Sequence, residues 1–168
     1  VTTGTNNVLI GGLAGDALTD ADANVAIGKH ALGADTLGNK SIAIGLGALQ
    51  TQNFTTATDT FNTAVGHGVG AAITTGKDNT LFGAETGDAI TSGELNTALG
   101  RLALSSDTQG SRAVAVGRGA LQTQNFTTAV ANYNPAVGYD AGASVTTGIK
   151  NTIIGGLAGD GTTTGERN

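Results

Sequence analysis

A glycine closes the same short motif nine times along this chain, and that recurrence constrains the fold more than any other feature. Units open with Asn-x-x-apolar-Gly or a close variant, beginning at Asn7, Asn24, Ser41, Asn62, Asn79, Asn96, Ala113, Asn134 and Asn151. The fifth place is always glycine: Gly11, Gly28, Gly45, Gly66, Gly83, Gly100, Gly117, Gly138 and Gly155. The spacings are 17, 17, 21, 17, 17, 17, 21 and 17 residues, so three short units and one long unit make a 72-residue block. Within it, Gln50-Thr51-Gln52-Asn53-Phe54-Thr55-Thr56-Ala57 returns unchanged as Gln122 to Ala129. Residues 1–168 therefore read as one continuous repeat array, in which each unit buries its apolar face only by stacking on its neighbours. The array is also in mid-phase at both ends, which points to a longer natural protein.

Helix is a poor candidate for such units. Glycine recurs every few residues and costs about 1 kcal/mol against alanine inside a helix. The runs Val25-Ala26-Ile27, Ile42-Ala43-Ile44, Val114-Ala115-Val116 and Thr152-Ile153-Ile154 are short, apolar and bounded by Gly and Asn, as strands are. The expected fold is all-β: a parallel β-solenoid, or β-roll, of 17- and 21-residue coils. A second strand is expected around the Ala-Leu or Ala-Gly pair that follows each glycine.

A volume rule supports the stack. Where the ninth residue of a unit is leucine (Leu32, Leu49, Leu104, Leu121), the twelfth is polar (Asp35, Gln52, Asp107, Gln124). Where the ninth is glycine, the twelfth is Leu18, Ile73, Ile90, Val145 or, in the last unit, Thr162. One bulky group per coil filling one space from either side is what a close-packed interior demands. The opening Asn, kept in seven of nine units, reads as a ladder bonding coil to coil. Its bland alternative is an ordinary turn residue. The glycine reads as a positive-φ turn or a close backbone approach. Pro135, inside one of the expected strands, removes a ladder donor and fits this scheme least well.

Composition sets the functional classes aside. Charged residues are 12% of the chain against roughly 25% in an average soluble protein, and the net charge is −5. No basic stripe is visible for phosphates, which argues against nucleic acid, and no apolar run is long enough to span a membrane. The absence of cysteine is neutral as to compartment. His30 and His67 stand at repeat places taken elsewhere by Leu102 and Tyr139, so neither reads as a general base or a metal ligand. Asp16, Asp88 and Asp160 recur 72 residues apart, and turn bonding is the plainer reading than a cation. No catalytic residue, metal site or cofactor is expected, and the chain is not expected to be an enzyme.

Asn62-Thr63-Ala64-Val65-Gly66, Asn96-Thr97-Ala98-Leu99-Gly100 and Thr74-Thr75-Gly76-Lys77-Asp78-Asn79 resemble repeats of phage tail fibres and related bacterial surface proteins. They are similar in kind to the β-roll head repeats of trimeric autotransporter adhesins, whose coils are shorter. The resemblance covers essentially the whole chain, and it implies a parallel, homotrimeric shaft. It also implies an extracellular, cell-surface or virion location, and a spacer or display role with a glycan or cell-surface receptor as a possible partner. Strands apolar on both faces, such as Val8-Leu9-Ile10, independently point to an oligomer, because such strands are usually covered twice. The rival readings are a self-assembling filament subunit and a polysaccharide- or ice-binding solenoid using Thr rows, although the Thr-Thr pairs skip coils. Candidate surface-contact residues belong to the two long units: Gln50, Asn53, Phe54 and Phe61, with their copies Gln122, Asn125, Phe126 and Tyr133. Their aromatics either pack against the shaft, the favoured reading, or meet a glycan or neighbouring fibre.

Overall fold

The computed structural model describes all 168 residues and contains strands and turns but no helix. Each coil contributes one short strand to a single nine-stranded parallel sheet: β1 (Val8–Ile10), β2 (Val25–Ile27), β4 (Ile42–Ile44), β6 (Thr63–Val65), β7 (Thr80–Phe82), β8 (Thr97–Leu99), β10 (Val114–Val116), β12 (Pro135–Val137) and β13 (Ile153–Ile154). Two minor pairs flank it: β3 (Gly38–Asn39) with β5 (Thr58–Asp59), and β9 (Gly110–Ser111) with β11 (Val130–Ala131). Register follows the sequence period. Ile27 lies beside Ile44 one short coil on, and Ile44 beside Val65 across a long one. The chain is a β-solenoid of about nine turns.

The expected second strand is absent. The residues after each glycine form a turn in which the seventh and ninth places take left-handed φ, between 49° and 68°, from Leu13 and Gly15 through to Leu157 and Gly159. A strand needs φ near −120° throughout, so alternation of hands excludes one. The turn is still a ladder, because its amides point alternately to the coils on either side. Leu32 N–H donates forward to the Ala48 carbonyl at 3.0 Å, while Gly47 N–H donates back to Lys29 at 3.0 Å. Local geometry departs from β, yet coil-to-coil bonding is kept.

The interior is thin. Of the 25 residues in the hydrophobic core, 14 are alanine, so large-side-chain burial cannot by itself hold the stack. The middle residue of each strand points inward, Ala26, Ala43 and Leu81 being fully buried. Where the ninth place is glycine, the twelfth side chain lies over it. A Cβ on Gly70 would sit 3.0 Å from Ile73 Cδ1, and one on Gly87 would sit 2.9 Å from Ile90 Cδ1. The reciprocal volume rule therefore has a direct steric cause.

Both roles foreseen for the fifth-place glycine hold. All nine have φ between 126° and 143°. A Cβ on Gly28 would lie 2.5 Å from the carbonyl oxygen of Gly45, its counterpart in the next coil. Pro135 is accommodated because it is the first residue of β12, a place where the missing N–H removes only one rung. Gly28→Ala is expected to lose at least the roughly 1–3 kcal/mol of strain that such a backbone stores, with the steric clash added to it. Gly12→Ala, where φ is ordinary and nothing lies within 4 Å, should be neutral or slightly stabilising. Urea unfolding of the two variants checks the pair.

Candidate functional site

Two regions depart from plain repetition: the long coils and the outer face of the large sheet. In each long coil the chain follows the regular path through Asn53 or Asn125, then turns back. Asn53 N–H donates to the Thr74 carbonyl of the next coil, whereas Phe54 N–H donates 3.0 Å to Asp35 Oδ1 of the previous coil. Asn125 and Phe126 repeat this with Thr146 and Asp107.

A buried polar chain fixes that return. Asp35 Oδ1 also accepts from Gly38 N–H at 3.1 Å, and its Oδ2 accepts from Gln52 Nε2 at 2.6 Å. Gln52 Oε1 in turn accepts from Asn62 Nδ2 at 2.9 Å. The second block repeats the path through Asp107, Gln124 and Asn134, at 2.7 and 2.8 Å. Asp35, Gln52, Asp107 and Gln124 are fully buried. Every hydrogen-bond partner of the two carboxylates is an N–H donor, and buried polar groups that are fully bonded specify rather than weaken a fold. The polar twelfth place is thus more than leftover volume: it marks the coils that hold the long turn. One difference between the blocks leaves a cost. Ser41 and Thr60 bond each other through their hydroxyls, but Ala113 and Asn132 replace them, and Asn132 Nδ2 has no partner.

The candidate contact residues divide. Phe54 and Phe126 are 8% and 6% exposed and pack inward, whereas Phe61 and Tyr133 are 52% and 50% exposed. Phe61 carries the Lys40 ammonium 5.3 Å from its ring centroid, and Tyr133 carries the Arg112 guanidinium at 5.7 Å. Gln50 and Asn53 are exposed and Gln122 and Asn125 half-buried; the Asn pair accepts the hydroxyls of Thr36 and Thr108 at 3.1 Å. The free tips are Thr55-Thr56-Ala57 and Thr127-Thr128-Ala129, all exposed. Within the unchanged octapeptide, Thr51, Gln52, Asn53 and Phe54 and their copies are held by internal bonds, and the flanks of the tips pair in the two minor sheets.

The outer sheet face is the larger surface. Its eighteen outward places, the first and third of every strand motif from Val8 and Ile10 to Thr152 and Ile154, hold no charged residue. The third-place column reads Ile10, Ile27, Ile44, Val65, Phe82, Leu99, Val116, Val137 and Ile154, apolar nine times in nine. Ile10 is 57% exposed and Ile154 70%, and Phe82 and Leu99 are exposed mid-face. Charges gather instead along the two borders. Arg118 beside Tyr139 and Asp140, with Nη1 3.1 Å from the Asp140 carboxylate, is a border cluster that the sequence alone did not single out.

No three His, Cys, Asp or Glu side chains come together, and Asp16, Asp88 and Asp160 stand at equivalent places four coils apart. Compared with protein-family models, curated proteins and solved structures, the chain finds no match.

Burial pushes the Asp107 carboxyl above its ordinary range, outweighing the bonds from Phe126 N–H, Gln124 and Gly110 N–H that pull it down. A raised folded pKa means that this group's contribution is fully present below the ordinary carboxylate range and is lost as pH rises through the raised value. The stability of wild type relative to Asp107→Asn, read from urea midpoints, should therefore fall as pH rises through the acid range. At constant pH the variant also sets an amide donor against Gln124 Nε2, a cost of about 1–3 kcal/mol. Replacing Thr55-Thr56 and Thr127-Thr128 by Gly-Ser should change stability by less than about 0.5 kcal/mol. Phe54→Ala should cost about 3 kcal/mol, as truncation of a packed Phe does; thermal unfolding of both variants reads the contrast.

Proposed function

We propose that this chain is a shaft segment of a virion or extracellular fibre, a spacer and display scaffold built from parallel copies of itself, three per shaft. The observation that carries the reading is the charge-free outer face of the nine-stranded sheet. Contiguous exposed apolar patches beyond a few hundred Å2 mark interaction sites in soluble proteins. A face about 40 Å long, at about 4.8 Å per coil, lies in that class. An evenly repeated stack supports a spacer role: its length is set by the number of coils, and its two long coils present their tips at a fixed interval of about 19 Å. Adhesive contact with a glycan or receptor belongs to those tips or to parts beyond the shaft.

A second reading, binding of crystalline polysaccharide or ice, gains one specific observation. The thirteenth place of the coils is Thr19, Thr36, Thr74, Thr91, Thr108, Thr146 and Thr163, with Asn53 and Asn125 in the long coils. Counted at this place, the Thr row is interrupted only in the two long coils. Yet these hydroxyls are spent internally: Thr19, Thr74, Thr91 and Thr146 donate to the carbonyl of the next coil at 3.0–3.2 Å. The shaft reading is preferred because an internal use accounts for the row.

Phe82→Glu tests the shaft. A charge placed mid-face should abolish self-association in sedimentation equilibrium, while circular dichroism retains the wild-type spectrum. Ala43→Asp, which points into the core, should unfold the coil instead. Wild type sedimenting as a folded monomer at micromolar concentration overturns the proposal.

A further inference from the structure

The two borders of the charge-free face do not match themselves, but they match each other. One border is the residue before each opening Asn, held at φ between 50° and 64° in every coil, with its preceding neighbour. The other is the pair following each fifth-place glycine. Beside β2 the first border offers Asp22 and the second Lys29; beside β8 they offer Glu94 and Arg101. Beside β6 stand Phe61 and His67, and beside β12 stand Tyr133 and Tyr139. Acid against base and ring against ring thus alternate every second coil, and both pairings survive the 72-residue shift although each residue type changes. Lys29 has no acidic partner within its own chain, and the Asp22 carboxylate accepts only from Thr5, through its N–H and its hydroxyl; Glu94 and Arg101 have exposed same-chain partners in Lys77, at 3.8 Å, and Glu85, at 3.2 Å.

A second copy meets these borders in one of two ways. With the fibre axes parallel, rotation about an axis along the shaft brings the first border of one copy against the second border of the next. Closed rotation leaves no stagger, so equal coils meet. With the axes antiparallel, like borders meet about the middle coil. Asp78 would then face its own copy, and Lys40 would face Arg112. Like charges at a contact cost affinity, and unlike ones set register. Two like-charged pairs arise in the parallel case, and both are already offset within the chain: the Arg112 and Arg118 guanidinia each lie over a tyrosine ring, at 5.7 and 5.4 Å, with Arg118 also holding Asp140, while Asp78 follows Lys77 and Glu85 is bonded by Arg101 at 3.2 Å. Face and borders together measure about 40 Å by about 20 Å, roughly the 800 Å2 per partner of a stable interface.

We propose that the borders form an intermolecular seam, in which Asp22 of one copy pairs with Lys29 of the next and Glu94 with Arg101, setting parallel polarity and zero stagger. The inference rests on the self-association proposed above. It is tested by disulfide trapping, because the chain has no cysteine of its own. Residues 22 and 29 lie seven residues apart across an extended strand, too far for the roughly 7 Å limit of a bridge within one chain. The double variant Asp22→Cys/Lys29→Cys, oxidised in its native state, should run as covalently closed oligomers on a non-reducing denaturing gel. Asp22→Cys/Leu46→Cys, displaced by one coil, should remain single chains. Bridging only in the displaced variant overturns the zero stagger. No bridging in either variant, while native mass spectrometry still reports oligomers, overturns the seam and leaves self-association standing. Monomers in native mass spectrometry overturn both.

Discussion

The stack depends on one side chain used in two directions. The opening Asn of a coil accepts, through Oδ1, the backbone N–H of the next coil's opening residue, at 2.8–3.1 Å from Asn7 through Asn151. Through Nδ2 it donates to a carbonyl fourteen residues on, as Asn79 does to Gly93 at 3.0 Å and Asn134 to Gly148 at 2.7 Å. One amide thus closes its own coil and fastens the next. No other short side chain carries both a donor and an acceptor in that planar arrangement. With more than half the core alanine, this bonding sets the spacing at which strands pair, at which alanines touch and at which glycines can pass one another.

The exceptions to the Asn rule follow from the same constraint. Ser41 and Ala113 open the two long coils, where the regular end of the coil has been displaced by four residues. The closing bond has no carbonyl to meet there, and the work passes to Gln52 and Gln124, which reach across to Asn62 and Asn134 from the twelfth place. The buried carboxylates of Asp35 and Asp107 then orient those glutamines. A longer turn, a lost asparagine and a buried aspartate are one structural event seen at three places in the sequence.

Much of this was legible before any coordinates. The period of 17 and 21, the glycine column and the bulky group exchanged between ninth and twelfth places all recur in register, and periodicity exposes them. The turn after each glycine was misread as a strand. Its left-handed places are filled by Leu, His, Glu and Gly alike, because neighbouring coils hold the backbone there whatever the side chain. The border before each Asn was invisible for the same reason: Lys40, Phe61, Leu95 and Arg112 share one backbone conformation there and no common chemistry. The division of the aromatics, Phe54 inside and Phe61 outside, was open because the six residues between them belong to the long-coil excursion, which has no counterpart in the short units.

The central claim is that side-chain amides, rather than a large apolar core, hold successive coils together. Native-state hydrogen exchange tests it residue by residue. The backbone N–H groups of Asn24, Asn79, Asn96 and Asn151, each bonded to the Asn of the coil before, should exchange only with global unfolding, as slowly as those within the strands. The unbonded tips at Thr55 and Thr127 provide the fast reference. Exchange of the four Asn amides at rates near those of the tips, with strand amides still protected, would contradict the account.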